Sequence, residues 1–268
     1  GLNKEDVFLI DSLQKRGVLT IKVYAMLSHS QENLEYFLNA GPYKTDKLTV
    51  RSFKVYADGA LGSRGAALKE PYSDLENHKG AFITSKDSLE TLAYKLATTP
   101  FQMNTHAIGD AANQVVLTAY KKALVFSDDP RWRVEHAQII DTSDIALFNR
   151  KIIPSVQPTH ATSDMYWAED RLGEARLAGA YAYNALLQQS GRIALGTDFP
   201  VEEVSPFKTF YAATQRKDNE AFPEEGYLPE NKLSRIDALR GMTIWGAYAN
   251  FEDKEKGSIE IGKAADFV

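Results

Sequence analysis

Two histidines and one aspartate occupy equivalent places in three repeats of one pattern, an apolar run that ends in polar residues. His106 closes Asn104-Thr105-His106-Ala107, His136 closes Arg133-Val134-Glu135-His136, and Asp198 follows Ala194-Leu195-Gly196-Thr197. Imidazole is the commonest metal ligand in proteins. Neighbouring strands lie roughly 4.8 Å apart, so histidines at two successive strand ends can reach one ion. A carboxylate beside them can ligate the same ion and accept a proton from its water. Each residue alone also has a plain reading: a hydrogen-bonded structural histidine, or a helix N-cap in the case of Asp198. The three together favour metal chemistry. Glu135 alternates with His136 and is expected to point the other way, as a structural partner.

A second group surrounds these. Lys54 lies on a strand in phase with Asp58, and a lysine aimed into a core is costly unless paired or chemically altered. Pairing with Asp58, or carboxylation to an anionic metal ligand, would each answer that cost. The segment from Gly59 to Gly65 offers free backbone N–H groups and Arg64, either an anion clamp or a flexible turn. The polar and aromatic stretch holding His160 and Trp167 suits substrate recognition or a lid, although a surface histidine reads the same way.

Positioning such residues takes strands that all end on one side. Strand-like and helix-like stretches alternate along the chain, the mark of βα units and a parallel sheet. Strands are expected at residues 19–25, 48–56, 101–105, 132–136, 152–157 and 192–196. Helices are expected at 4–16, 32–38, 86–97, 112–125 and 180–189, with another starting after Asp141. Long loops are expected at 58–79 and 158–179. Period-two alternation places Gln102, Asn104 and His106 on one face. Three polar side chains on one face suit the mouth of a barrel. The nucleotide-binding G-x-G-x-x-G of an open doubly wound sheet is absent. The expected fold is therefore α/β, a (β/α)8 barrel with about six of its eight units present.

Composition narrows the chemistry further. The 268 residues contain no cysteine, which excludes disulfides, zinc-thiolate sites and cysteine nucleophiles. A net charge of −5 and the lack of a basic stripe argue against nucleic acid. No run approaches the length of a membrane span. A small-molecule substrate and a cytoplasmic location are expected.

The series KVYADGALGSRGAAL, HAIGDAAN, RWRVEHAQ, PTHATSDMYWAEDRLG and ALGTDFPVE resembles the amidohydrolase superfamily, in its N-substituted formamide deformylase-like branch. The segment from Leu233 to Val268 matches as well. The resemblance implies a metal-dependent hydrolase of C–N bonds in amides, formamides or cyclic amides, using one or two divalent ions, zinc first. It implies that His106, His136 and Asp198 are metal ligands, with Asp198 also the general base and Lys54 a carboxylated ligand. His160, Asp58, Arg64 and Trp167 fall to the substrate. It further implies a barrel over residues 1–250 and, over 251–268, the start of a strand in a flanking β-sandwich. The family's His-x-His pair is not found among the five histidines. The chain is thus expected to be part of a longer protein, binding metal weakly or not at all. The other reading is a non-catalytic barrel that binds a small molecule or a partner. Open sheet edges near 19–25 and 192–196 are expected to pair with another copy.

Overall fold

A computed structural model describes residues 1–266. Six parallel strands run in the order β1 (Val23–Ser28), β3 (Leu48–Tyr56), β4 (Gln102–Ala107), β5 (Trp132–His136), β6 (Ile152–Val156) and β7 (Ala194–Leu195). The two-residue β2 (Tyr43–Lys44) lies antiparallel against β3. The sheet curls into an incomplete barrel with its helices outside. Between the strands lie α1 (Lys4–Lys15), α2 (Gln31–Ala40), α3 (Lys86–Ala97) and α4 (Asp110–Ala123). α5 (Pro158–Asp164), α6 (Ala168–Leu172), α7 (Glu174–Leu177) and α8 (Tyr183–Ser190) follow β6, and α9 (Pro206–Gln215), α10 (Arg235–Met242) and α11 (Ile244–Ala249) follow β7. No helix among the described residues is long and apolar enough to cross a membrane.

The two faces of the sheet differ in chemistry. Phe53, Val55, Phe101, Met103, Trp132 and Val134 are buried on the outer face, beneath Leu92 and Leu96 of α3 and Val116 and Tyr120 of α4. The inner face is polar. In-register partners on parallel strands point the same way, so Lys54, Asn104 and Arg133 form one inner layer. Tyr56, His106, Glu135 and Ser155 form the next, towards the strand ends. Glu135 therefore faces inward beside His106 and not away from the site. The alternation rule failed because the backbone leaves strand geometry at His136, whose φ is +73°. Glu135 does serve as a structural partner, accepting from Arg133 Nε at 2.6 Å. The chain after α11 closes the opposite end of this interior. Arg133 Nη1 donates to Asn250 Oδ1 at 2.5 Å, and Gln102 Nε2 to the Ala249 carbonyl at 2.8 Å.

Several sequence expectations need correction. β1 starts at Val23, not at residue 19, because its partner β3 begins only at Leu48 and nothing earlier can complete a ladder. The stretch 158–179 carries three short helices, not a loop; Pro158 at the first helical position starts them. After Asp141 the helix is a short 3₁₀ turn, Thr142–Leu147. Residues 251–266 contain no strand, and Phe267 and Val268 lie outside the described residues. The edges expected to be open are the sheet's end strands, β1 and β7. Leu2 bridges part of β1, its N–H donating to the Met26 carbonyl at 2.8 Å.

Asp58 anchors the Gly-rich loop after β3 to the end of β4. Its carboxylate accepts from the backbone N–H groups of Ala67 at 2.9 Å, Ile108 at 3.0 Å and Gly109 at 2.8 Å. Gly109 is required where the loop crosses, because a Cβ there would sit 2.0 Å from the Ala67 carbonyl oxygen. Removing the carboxylate would leave three buried N–H groups without acceptors, each costing about 1–3 kcal/mol. Asp58→Ala should therefore lower stability to urea by about 3 kcal/mol or more. Asp58→Asn, which keeps one acceptor oxygen, should lose less in the same titration.

Candidate metal centre

His106 is the fifth residue of β4, and His136 ends β5. His160 lies on the first turn of α5, directly beyond β6, and Asp198 lies three residues beyond β7. Two consecutive non-glycine residues, His136 and Ala137, hold positive φ angles of 73° and 42°, and Asp198 holds 57°. Such backbone costs of order 1–3 kcal/mol per residue and persists only where its surroundings enforce it. Here it turns the side chains of His136 and Asp198 to where a regular strand would not put them.

The donor atoms of His136, His160 and Asp198 all lie within 4.8 Å of one another. His160 Nε2 stands 3.7 Å from Asp198 Oδ2. The His136 and His160 rings are stacked with centroids 5.9 Å apart, and His106 packs edge-on against His136 at 4.5 Å. Gln157 Oε1 lies 2.9 Å from His136 Nδ1, which assigns the proton to Nδ1 and leaves the Nε2 lone pair free. Nε2 of His106 and of His160 are buried without hydrogen-bond partners. Buried polar atoms are normally satisfied, so two orphaned imidazole nitrogens beside a carboxylate fit a cation. Burial holds the imidazoles neutral. It pushes His160 down from 6.5 to about 4. Burial, then Lys54, take His106 to about 4; burial, His106 and Lys54 take His136 to about 3. Neutral imidazole is the form that ligates.

Lys54 is buried on the same inner face, with desolvation lowering its pKa against the pull of Glu135. Burial raises the Asp198 carboxyl while the charge of Lys54 opposes it. Glu135 is affected by burial, which would raise it, but Arg133 and Lys54 outweigh that and hold it at about 2. All these groups but Glu135 and Arg133 border a cavity of about 420 Å³, walled further by Leu61, Trp167 and Asp164.

The structure thus brings His106, His136, His160, Asp198, Lys54 and Trp167 to one cavity. His160, expected at the substrate, stands within the three-donor cluster, whereas His106 and Lys54 lie beside it. Asp58 and Arg64 have their own partners within the chain. Asp58 has no exposed surface, and its oxygens are held by backbone N–H groups. It does not pair with Lys54; its nearest charged neighbour is His106 Nε2 at 3.6 Å. The Arg64 guanidinium is paired through two 2.9 Å bonds to Asp74. Sequence reasoning missed Gln157, Gln138 and Asp164. For Asp164 a signal existed: it lies four residues after His160, on the same face of a helix.

A model of the Amidohydrolase family matches residues 3–268. The Arabidopsis thaliana protein LONG AFTER FAR-RED 3 is 30% identical over 98% of this chain and 46% of its own length. N-substituted formamide deformylase of Arthrobacter pascens is 26% identical over 81% of this chain and 40% of the enzyme. The crystal structure of an uncharacterized metal-dependent hydrolase from Pyrococcus horikoshii OT3 superposes with a TM-score of 0.85 at 27% identity, over 99% of this chain and 53% of that one. The chain spans less than half the length of these two relatives.

The burial of the three imidazoles has a direct consequence. Because their pKa values lie at about 3 to 4, below the ordinary 6.5, protons are taken up only well below pH 5. In ring-nitrogen NMR spectra of the metal-free chain, His106, His136 and His160 should keep neutral-imidazole shifts from pH 7 to about 5. A midpoint near 6.5 at any of them would contradict the burial described here.

Proposed function

The chain belongs to the amidohydrolase family, and from that premise we propose that its cavity hydrolyses C–N bonds of small amides, formamides or cyclic amides with a divalent metal. The observation that carries this reading is the convergence of His136, His160 and Asp198, with Nε2 of His160 buried and without a hydrogen-bond partner. The relative named N-substituted formamide deformylase supports the choice of bond.

In this reading His136, His160 and Asp198 would hold the ion. A donor set rich in imidazole suits zinc. Zinc bound there would lower the pKa of its water and polarise the scissile carbonyl. His106, in ring contact with His136, provides a further imidazole at the same place. Lys54 has no ion-pair partner among the described residues, and its lowered pKa favours the free amine that can be carboxylated to an anionic ligand. Asp198 carries the proton. Its second oxygen takes one from the attacking water and returns it to the leaving nitrogen, so the C–N bond is exchanged for a C–O bond without net gain of charge at the aspartate. Gln157 holds the tautomer of His136, and the ring of Trp167 with Leu61 forms an apolar wall for the substituent on nitrogen.

The test uses the full-length protein loaded with zinc and a series of N-substituted formamides, with formate release as the readout. Asp198→Asn keeps a ligating oxygen but cannot act as base. It should lower kcat by about 10²- to 10⁴-fold with zinc content near that of the parent. An Asp198→Asn protein as active as the parent would overturn the assignment.

A further inference from the structure

Asp164 is a buried-side carboxylate that the hydrolytic mechanism does not use. It ends α5 one helical turn after His160, so both side chains reach the same cavity. Its two oxygens are treated differently. Oδ2 accepts from the Tyr181 hydroxyl at 2.7 Å and from Gln138 Nε2 at 3.0 Å. Oδ1 has no hydrogen-bond partner among the described residues, and the residue lines the cavity wall.

The supports are themselves fixed. Tyr181 is fully buried with φ +49°, and its N–H donates to the Gln138 carbonyl at 2.7 Å. The Tyr181 carbonyl accepts from Arg216 Nη1 at 3.3 Å, and Arg216 has no exposed surface. Two donors, Tyr181 and Gln138, thus hold one oxygen of the carboxylate, and Arg216 supports Tyr181 behind them. The free oxygen is the one available to a molecule in the cavity that Asp164 borders. Glu202 borders the same side of the cavity, and its Oε1 accepts from Ser163 Oγ at 2.6 Å. Among the described residues that line the cavity, Lys54 is the one basic side chain apart from the histidines. Trp167 adds an aromatic face, which attracts cations.

Resting on the reading of this cavity as a hydrolase site, we propose that Asp164 determines specificity, by accepting a hydrogen bond from an N–H or ammonium group on the substrate. The site then takes amides that are neutral N–H donors or carry an amine, and it rejects those that carry a carboxylate. An anionic substituent would face the carboxylates of Asp164 and Glu202, whose like charge repels it.

Three probes of similar shape separate the possibilities: benzylamine, which is an ammonium at neutral pH, benzyl alcohol and benzoate. Each is titrated calorimetrically into the full-length protein stripped of metal, and zinc uptake is measured separately. Benzylamine should bind roughly tenfold more tightly than benzyl alcohol, and benzoate more weakly than either. Asp164→Asn keeps an acceptor for Tyr181 and should reduce benzylamine to the affinity of the alcohol, with zinc uptake unchanged. Asp164→Glu, which keeps the charge, should retain a preference for the amine. Equal affinities in the parent protein, or an amine preference that survives in Asp164→Asn, would overturn the proposal. Failure of zinc uptake in the parent would instead count against the hydrolase reading, since the probes are compared without metal. If Asp164→Asn does not fold, the ranking of the three probes by the parent protein still decides.

Discussion

Three imidazoles in ring contact, shielded from water, cannot all carry protons. Loss of solvation favours the neutral form at all three, Lys54 adds to it at His106 and His136, and the neighbouring rings add to it at His136. Neutral imidazoles need partners for their nitrogens, and here only part of that need is met within the chain. Gln157 occupies one nitrogen of His136, whereas Nε2 of His106 and of His160 are buried without a hydrogen bond, 3.6 Å from Asp58 and 3.7 Å from Asp198. The surrounding fold holds these rings together despite that cost.

What holds them is the contrast between the two faces of the sheet. The outer face anchors each strand beneath helices through large apolar side chains such as Phe53, Phe101 and Trp132. The inner face can then afford a polar interior, layered as Lys54, Asn104 and Arg133 below Tyr56, His106 and Glu135. Buried charges of this kind persist when they are paired. Arg133 meets Glu135 at one end and Asn250 at the other, so the segment after α11 is part of the site's support although it is far away in sequence. Asp58 performs the equivalent task on the opposite side of the site, tying the loop after β3 to the turn that carries Ile108 and Gly109.

Much of this was legible from residue order alone. Period-two alternation identified the polar face of β4 because that strand is regular through His106. The strand ends were legible because apolar runs stop there in polar residues. Alternation misled at Glu135, where the backbone turns into positive φ one residue later, a feature that a non-glycine sequence does not announce. The intrachain partners of Asp58 and Arg64 were not legible for a different reason. Their partners, backbone N–H groups near residue 108 and the side chain of Asp74, come together only through tertiary folding. His160 was placed near the substrate because its stretch mixes polar and aromatic residues at the expected mouth of the barrel. The helix begun by Pro158 carries it over the strand ends, beside His136 and Asp198.

The central claim is that His136, His160 and Asp198 form one metal centre. X-ray absorption at the zinc edge tests it most directly, on the full-length protein loaded with one equivalent of zinc. The account predicts imidazole scattering from at least two histidines, reduced by one ring in His160→Ala. A bound ion whose spectrum is identical in the parent and in His160→Ala would contradict it, because His160 would then not ligate the ion.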